Sequence, residues 1–360
     1  MNKTVGIIVG VALLIGGGFV LVSGQNQEQN SSNEAGLAVT TSFYPLQFAL
    51  ERIVGDLGEV TNIGAGRDPH DFRPSTQDML KLKQADVVVL QGANFEPWGN
   101  DVQSSLVADG VPVIIATTDI ELHEGGHNHG EDEHNEDEHA DEHHDEESEH
   151  AHEQESHDEH EDEQHEEDYN EAIHAEVHED EHEEEHDHGA YDPHTWVDPV
   201  LFSEMVKYLA AEIALLDPNN AQTYLNNAAA LQVELEALDT QYENRLANCA
   251  LDEVITSHDA FGYLGDRYGF KIHSIAGLST QDTPSATTLA ELRAEAAEGI
   301  GAILLEENSI TAYGETLSRE TGLQTLSINP ISYIIPTGAD YFSLMQDNLG
   351  TFAVALNCNE

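Results

Sequence analysis

The sequence predicts an α/β protein of two domains, each a parallel sheet covered by helices, with one long helix joining them. Three observations carry this. Short apolar runs such as Asp86–Leu90 (Asp-Val-Val-Val-Leu) alternate with helical segments, the pattern of βα units whose strands are buried on both faces. The alternation occurs twice, in the first third of the chain and again in the last. Between them, Asn219 to about Asn248 is rich in Ala, Leu, Gln and Glu and contains no Gly or Pro. A helix of that length extends about 40 Å at 1.5 Å per residue, enough to run across both domains.

In chain order, Leu37–Thr41 reads as a strand and Pro45–Val54 as a helix, with Pro near its start and Gly55 after its end. Glu59–Ile63 is a strand leading into Gly64-Ala65-Gly66, and Ser75 is the N-cap of a helix reaching Gln84. Asp86–Leu90 is a buried strand, Trp98–Val107 a helix and Val111–Ala116 a strand. After a long polar block the pattern resumes at Tyr191. A helix from Val200 to Leu216 stops at Asp217-Pro218, and the long helix follows. The second set comprises strands Asp252–Thr256, Lys271–Ile275, Ala302–Leu305 and Gln324–Ile328. Its helices are Ala260–Tyr268, Ser285–Gly299, Ile310–Thr321 and a closing Ala339–Leu356. Two parallel sheets facing each other create an interdomain cleft, because ligand crevices lie at the carboxyl ends of such strands.

Acidic residues number 70 and basic residues 12, a formal charge of −58. Such a chain repels nucleic acid and anionic lipid, which excludes binding by phosphate neutralisation and suits a cation instead. The charge is uneven. Residues 123–188 hold 17 of the 21 His, 32 of the 70 acids and no Lys or Arg. This block cannot bury a core, so it reads as a disordered insertion; its mix of imidazole and carboxylate suits low-affinity metal binding, with a solvated spacer as the plain alternative. His174, His178, His182 and His186 recur every fourth residue and would share one face of a helix. HExxH matches such as His178–His182 and His182–His186 fall in this region, but a segment so rich in His and Glu produces them by chance, so a protease is not inferred.

At the N-terminus, Lys3 precedes Val5–Val22, an unbroken run of apolar residues and Gly, followed by a polar stretch to Gly36. Residues 1–24 read as an export signal or a retained membrane anchor and 25–36 as a linker, placing the globular part outside the cytoplasm. Gln25 stands where a bacterial lipoprotein would carry Cys, so lipidation is not expected. The expected organisation is an N-terminal lobe over 37–198, linking helices over 199–248 and a C-terminal lobe over 249–360. Cys249 and Cys358 are an even pair in an exported chain, which permits one disulfide.

Four His lie outside the block: His70, His194, His258 and His273. The first three fall in loops on the cleft side, two of them directly after Asp-Pro. Three imidazoles meeting at one point form the nitrogen-rich set that Zn²⁺ prefers. His273 sits inside a strand and reads as structural.

Asp68-Pro69-His70, Gly92-Ala93-Asn94-Phe95-Glu96-Pro97-Trp98, Asp192-Pro193-His194-Thr195-Trp196, Ser257-His258-Asp259-Ala260-Phe261-Gly262-Tyr263 and Gly277-Leu278-Ser279-Thr280 with Pro284-Ser285-Ala286 occur in this order. From Leu37 to the C-terminus the chain resembles the metal-binding solute-binding proteins of bacterial ABC importers, specifically the zinc-uptake type. The resemblance implies two Rossmann-like lobes, a backbone helix and a metal ion held between lobes by His70, His194 and His258. It implies an exported, monomeric receptor that passes its ion to a membrane ABC permease and catalyses nothing. Manganese-type relatives usually place Glu where His258 stands, which favours zinc over manganese. Relatives often supply a fourth ligand, Asp or Glu, from a late loop. Here Asn329 stands where Asp is common and Ser332 where some have Glu, so the expected fourth ligand is water or a weak Asn329 oxygen, with Glu306 and Glu307 as lesser candidates. The rival readings are an extracytoplasmic metal buffer acting through the block and, with three His plus water, a zinc hydrolase; no motif for a general base supports the latter.

Overall fold

A computed structural model describes residues 36–124, 191–307 and 311–359. The apolar N-terminal run, nearly all of the linker, and the block from residue 125, including His174, His178, His182 and His186, lie outside the described residues. Among those described, no helix is long and apolar enough to cross a membrane.

The first sheet contains β1 (Leu37–Thr41), β2 (Gly58–Asn62), β3 (Val87–Leu90) and β4 (Val113–Ile115), all parallel, in the order β2-β1-β3-β4. The second contains β5 (Glu253–Thr256), β6 (Lys271–Ser274), β7 (Ile303–Glu306) and β8 (Thr325–Ile328) in the order β6-β5-β7-β8, again parallel. In each sheet the chain leaves the first strand to one side and later returns to the other. The switch points lie between β1 and β3 and between β5 and β7, where crevices open at the strand ends.

The helices are α1 (Tyr44–Val54), α2 (Thr76–Gln84), α3 (Gly99–Ala108), α4 (Pro199–Leu216), α5 (Ala221–Leu246), α6 (Gly262–Tyr268), α7 (Ala286–Glu295), α8 (Thr311–Thr321) and α9 (Tyr341–Ala355). Ser75 caps α2 through a reciprocal capping box with Asp78, as its spacing predicts. α7 stops at Glu295, short of the predicted Gly299; a turn follows and Gly299 takes φ +132°, a conformation that favours glycine.

The 26 residues of α5 span about 39 Å. Its N-terminal and middle turns pack on the first lobe, where Arg52 of α1 pairs with Glu234 and Asn227 Nδ2 donates to Ile53 O at 2.9 Å. Its second half serves the other lobe: Tyr242 OH donates to Met345 O at 2.6 Å and Tyr268 OH to Asp239 Oδ1 at 2.9 Å. One apolar cluster therefore runs through both lobes, from Leu46, Leu50 and Ile53 through Leu231 and Leu238 to Leu349 and Phe352. Smaller clusters fill the outer face of each sheet. Cys249 and Cys358 are joined by a disulfide that ties the end of α5 to the end of α9.

Candidate metal centre

Each predicted histidine is set by local chain chemistry. His70 lies in the loop between β2 and α2, where Asp68 Oδ1 accepts from the His70 N–H at 3.1 Å and Asp68 O accepts from Phe72 N at 2.9 Å. His194 precedes a short 3-10 turn, Thr195–Val197, that leads into α4. Asp192 Oδ1 accepts both its backbone N–H at 2.9 Å and its ring Nδ1 at 2.7 Å. His258 follows the end of β5 at the switch point, and its Nδ1 lies 2.5 Å from Glu306 Oε1 at the end of β7.

These three side chains converge. Ring centroids are 5.5 Å apart for His70 and His194, 6.1 Å for His70 and His258, and 5.3 Å for His194 and His258. One nitrogen from each ring lies within 4.8 Å of the others. His194 and His258 are buried and His70 is half-buried. An ionised carboxylate only accepts, so the proton of each buried ring sits on Nδ1 and Nε2 is left as a donor for metal. His194 Nε2 is buried without a hydrogen-bond partner, a costly state unless a ligand completes it.

An aromatic wall surrounds the cluster. Phe95 packs edge-on against His70 at 4.9 Å and lies 6.0 Å from His194, while Trp196 meets His194 at 5.2 Å and Phe95 at 4.9 Å. Phe95 is placed by a turn in which Gly92, Ala93 and Asn94 all have positive φ. Buried Glu96 closes that turn, accepting from Ser42 Oγ, from Gln91 N at 2.8 Å and from Gly92 N at 3.2 Å. Glu96 stands in a quoted motif, yet its role depends on Ser42 arriving from β1, which sequence spacing does not reveal.

The two buried imidazoles are tuned in opposite directions. Burial, with the neighbouring His258, holds His194 well below the ordinary imidazole value. Burial also opposes charge on His258, but Glu306, followed by Asp68 and Asp259, outweighs it and raises the value. His194 thus stays neutral and ready to ligate, while His258 is the ring at which protons compete.

Asn329, expected as the fourth ligand if water is not, has both ends of its amide engaged in its own loop: its Oδ1 accepts from Ile331 N at 2.7 Å and its Nδ2 donates to Ile334 O at 2.8 Å. Glu306 Oε1 is bonded to His258 Nδ1, and Ser332 and Glu307 line a small cavity beside it. His273 joins Glu253 at 3.1 Å and Glu295 at 2.9 Å, a structural bridge between β6, β5 and α7. Asp192 was missed as a positioning carboxylate; its two-residue spacing from His194 was the available signal.

Comparison with known proteins gives a consistent result. The family of the periplasmic zinc-uptake complex component A, ZnuA, matches residues 39–355. The zinc-binding lipoprotein AdcA of Streptococcus pneumoniae is 31% identical over 335 residues, 91% of this chain and 57% of the relative, so the chain spans little more than half the length of that protein. The high-affinity zinc uptake system protein ZnuA of Bacillus subtilis is 31% identical over 341 residues, 92% of both chains. Among solved structures, Zn(II)-bound AdcA of S. pneumoniae superposes with a TM-score of 0.65 at 27% identity, covering 90% of this chain and 58% of that one. The laminin-binding adhesin Lmb of Streptococcus agalactiae superposes at 0.68 with 25% identity, covering 89% of this chain and all of that one.

Proposed function

Because the chain belongs to the ZnuA family of zinc-uptake proteins, we propose that it is an extracytoplasmic receptor that captures Zn²⁺ between its lobes and delivers it to a membrane ABC permease. The observation that carries this reading is the convergence of His70, His194 and His258, with the buried Nε2 of His194 left without a partner. The donor chemistry suits zinc: three neutral imidazoles supply borderline-soft nitrogen, and carboxylates behind two of them fix the tautomer. Water takes the fourth position, since the Asn329 amide is engaged elsewhere. The ion is cargo, and the protein performs no reaction on it.

In the same reading, residues 1–24 direct export or anchor the chain, 25–36 link it to a monomeric two-lobed body, and the block over 123–188 gathers ions at low affinity. Metal analysis with competitive chelator titration tests the central claim. The wild-type protein should hold one zinc far more tightly than any others. The triple variant His70→Ala, His194→Ala, His258→Ala should lose that ion and keep only weak binding. A triple variant that retains one tightly held zinc would place the site elsewhere.

A further inference from the structure

His194 and His258 are buried and braced from behind, but His70 is half-buried and sits on the loop after β2, in the opposite lobe from His258. What holds it over the metal is a chain of bonds across the cleft. Asp68 divides its carboxylate: Oδ1 accepts the His70 backbone N–H at 3.1 Å, and Oδ2 accepts from Thr280 Oγ1 at 2.6 Å. Thr280 lies 212 residues away in the loop after β6 and is itself buried. That loop is rigid. Ser279 N donates to Asp282 Oδ2 at 3.1 Å, Asp282 N returns to Ser279 O at 3.1 Å, and Asp259 N donates to Gly277 O at 2.9 Å. Asp259 is the residue after His258. The segments of two candidate ligands on opposite lobes are thus linked through Asp68, Thr280 and Gly277.

The same loop borders His70 directly. A small cavity beside His70 is lined by Phe95, Tyr191, Pro193, Leu278 and Ser279. The His194 segment is secured separately, by Tyr263 OH donating to Asp192 O and Trp196 Nε1 donating to Pro330 O, both at 2.7 Å. For the His70 turn, the bond reaching across is Thr280 to Asp68.

We propose that Thr280 is a positioning residue for His70: its hydroxyl, bonded to Asp68, holds the His70 turn against the second lobe and sets the rate at which the bound ion leaves. This rests on the receptor reading above. A hydroxyl bonded to a half-buried carboxylate is a charge-assisted contact, and losing it shifts an equilibrium by about tenfold. The loss falls on release, because His194 and His258 still hold the ion while the His70 turn swings away.

The test loads full-length protein with one equivalent of Zn²⁺ and mixes it rapidly with excess fluorescent chelator, following the slowest release phase. Thr280→Val keeps the shape and removes the hydroxyl; Thr280→Ser keeps the hydroxyl. The expected result is release about tenfold faster in Thr280→Val and within about twofold of wild type in Thr280→Ser. The metal-free proteins should melt within a few degrees of one another. Wild-type release from Thr280→Val, or equally fast release from both variants, overturns the role; if Thr280→Val does not fold, Thr280→Ala decides by the same criterion. A wild-type protein with no slow phase overturns the receptor reading as well. A slow phase abolished by His194→Ala but unmoved in Thr280→Val overturns the positioning role alone.

Discussion

Glu306 at the end of β7 accepts from His258 Nδ1 at 2.5 Å and from Ser257 Oγ at 3.0 Å, joining neighbouring strands of the second sheet directly behind the histidine cluster. The carboxylate fixes the imidazole in the tautomer and orientation that aim Nε2 at the cluster. Replacing Glu306 by Ala should leave His258 Nδ1 buried and unpaired and weaken zinc binding by about 10–100-fold, read by competitive chelator titration. Glu306→Gln, whose carbonyl can still accept from Nδ1–H, should weaken it less. An Ala variant of wild-type affinity would remove Glu306 from the site.

Zinc affinity should fall with acidification, and the sign follows from His258. Its folded value lies above the ordinary 6.5 because Glu306 outweighs burial. Nδ1 already carries a proton, so the added proton takes Nε2, the nitrogen proposed to hold the metal. Affinity should therefore begin to decline above pH 6.5 as the ring charges. Glu306→Gln removes the charge that favours the imidazolium, so its decline should begin at lower pH. Titrations at a series of pH values check this; an unmoved or alkaline-shifted profile in Glu306→Gln contradicts the assignment. In the metal-free protein the same ion pair contributes stability below 6.5 that is lost as pH rises through the raised folded value.

The Cys249–Cys358 disulfide closes a span of 109 residues. Chain entropy assigns a loop of that size roughly 4–5 kcal/mol. Cys358→Ser in urea unfolding should lose a large part of that, while zinc affinity stays near wild type because the bridge lies at the far ends of α5 and α9. A variant of unchanged stability would show that the unfolded chain is constrained by other means.

Gly92 should not accept a side chain. Its φ is +90°, and an added Cβ would lie 2.4 Å from Ile115 Cγ2. Gly92→Ala should cost about 1–3 kcal/mol from backbone strain, plus the clash. It should also weaken zinc binding by displacing Phe95 from His70. Thermal melts and chelator titration together measure both effects; a variant as stable as wild type would show that the turn can relax.

The sequence determined the elements, their order and three of the groups at the site. Strand and helix periods, the Ser75 cap and the unbroken run of α5 are local properties, so they were readable to within a few residues. His70, His194 and His258 were legible because each sits in a loop at a strand end or helix start, beside residues that restrict the backbone. The tertiary structure decided how those rings are held. Glu306 meets His258 because β5 and β7 pair side by side, and Thr280 meets Asp68 because two lobes close on each other. Neither contact has a sequence period. The same holds for Asn329: position along the chain places it in a loop, but the hydrogen bonds within that loop decide where its amide points. Side-chain direction is set by long-range pairing and burial, and these exist only once the sheets are assembled.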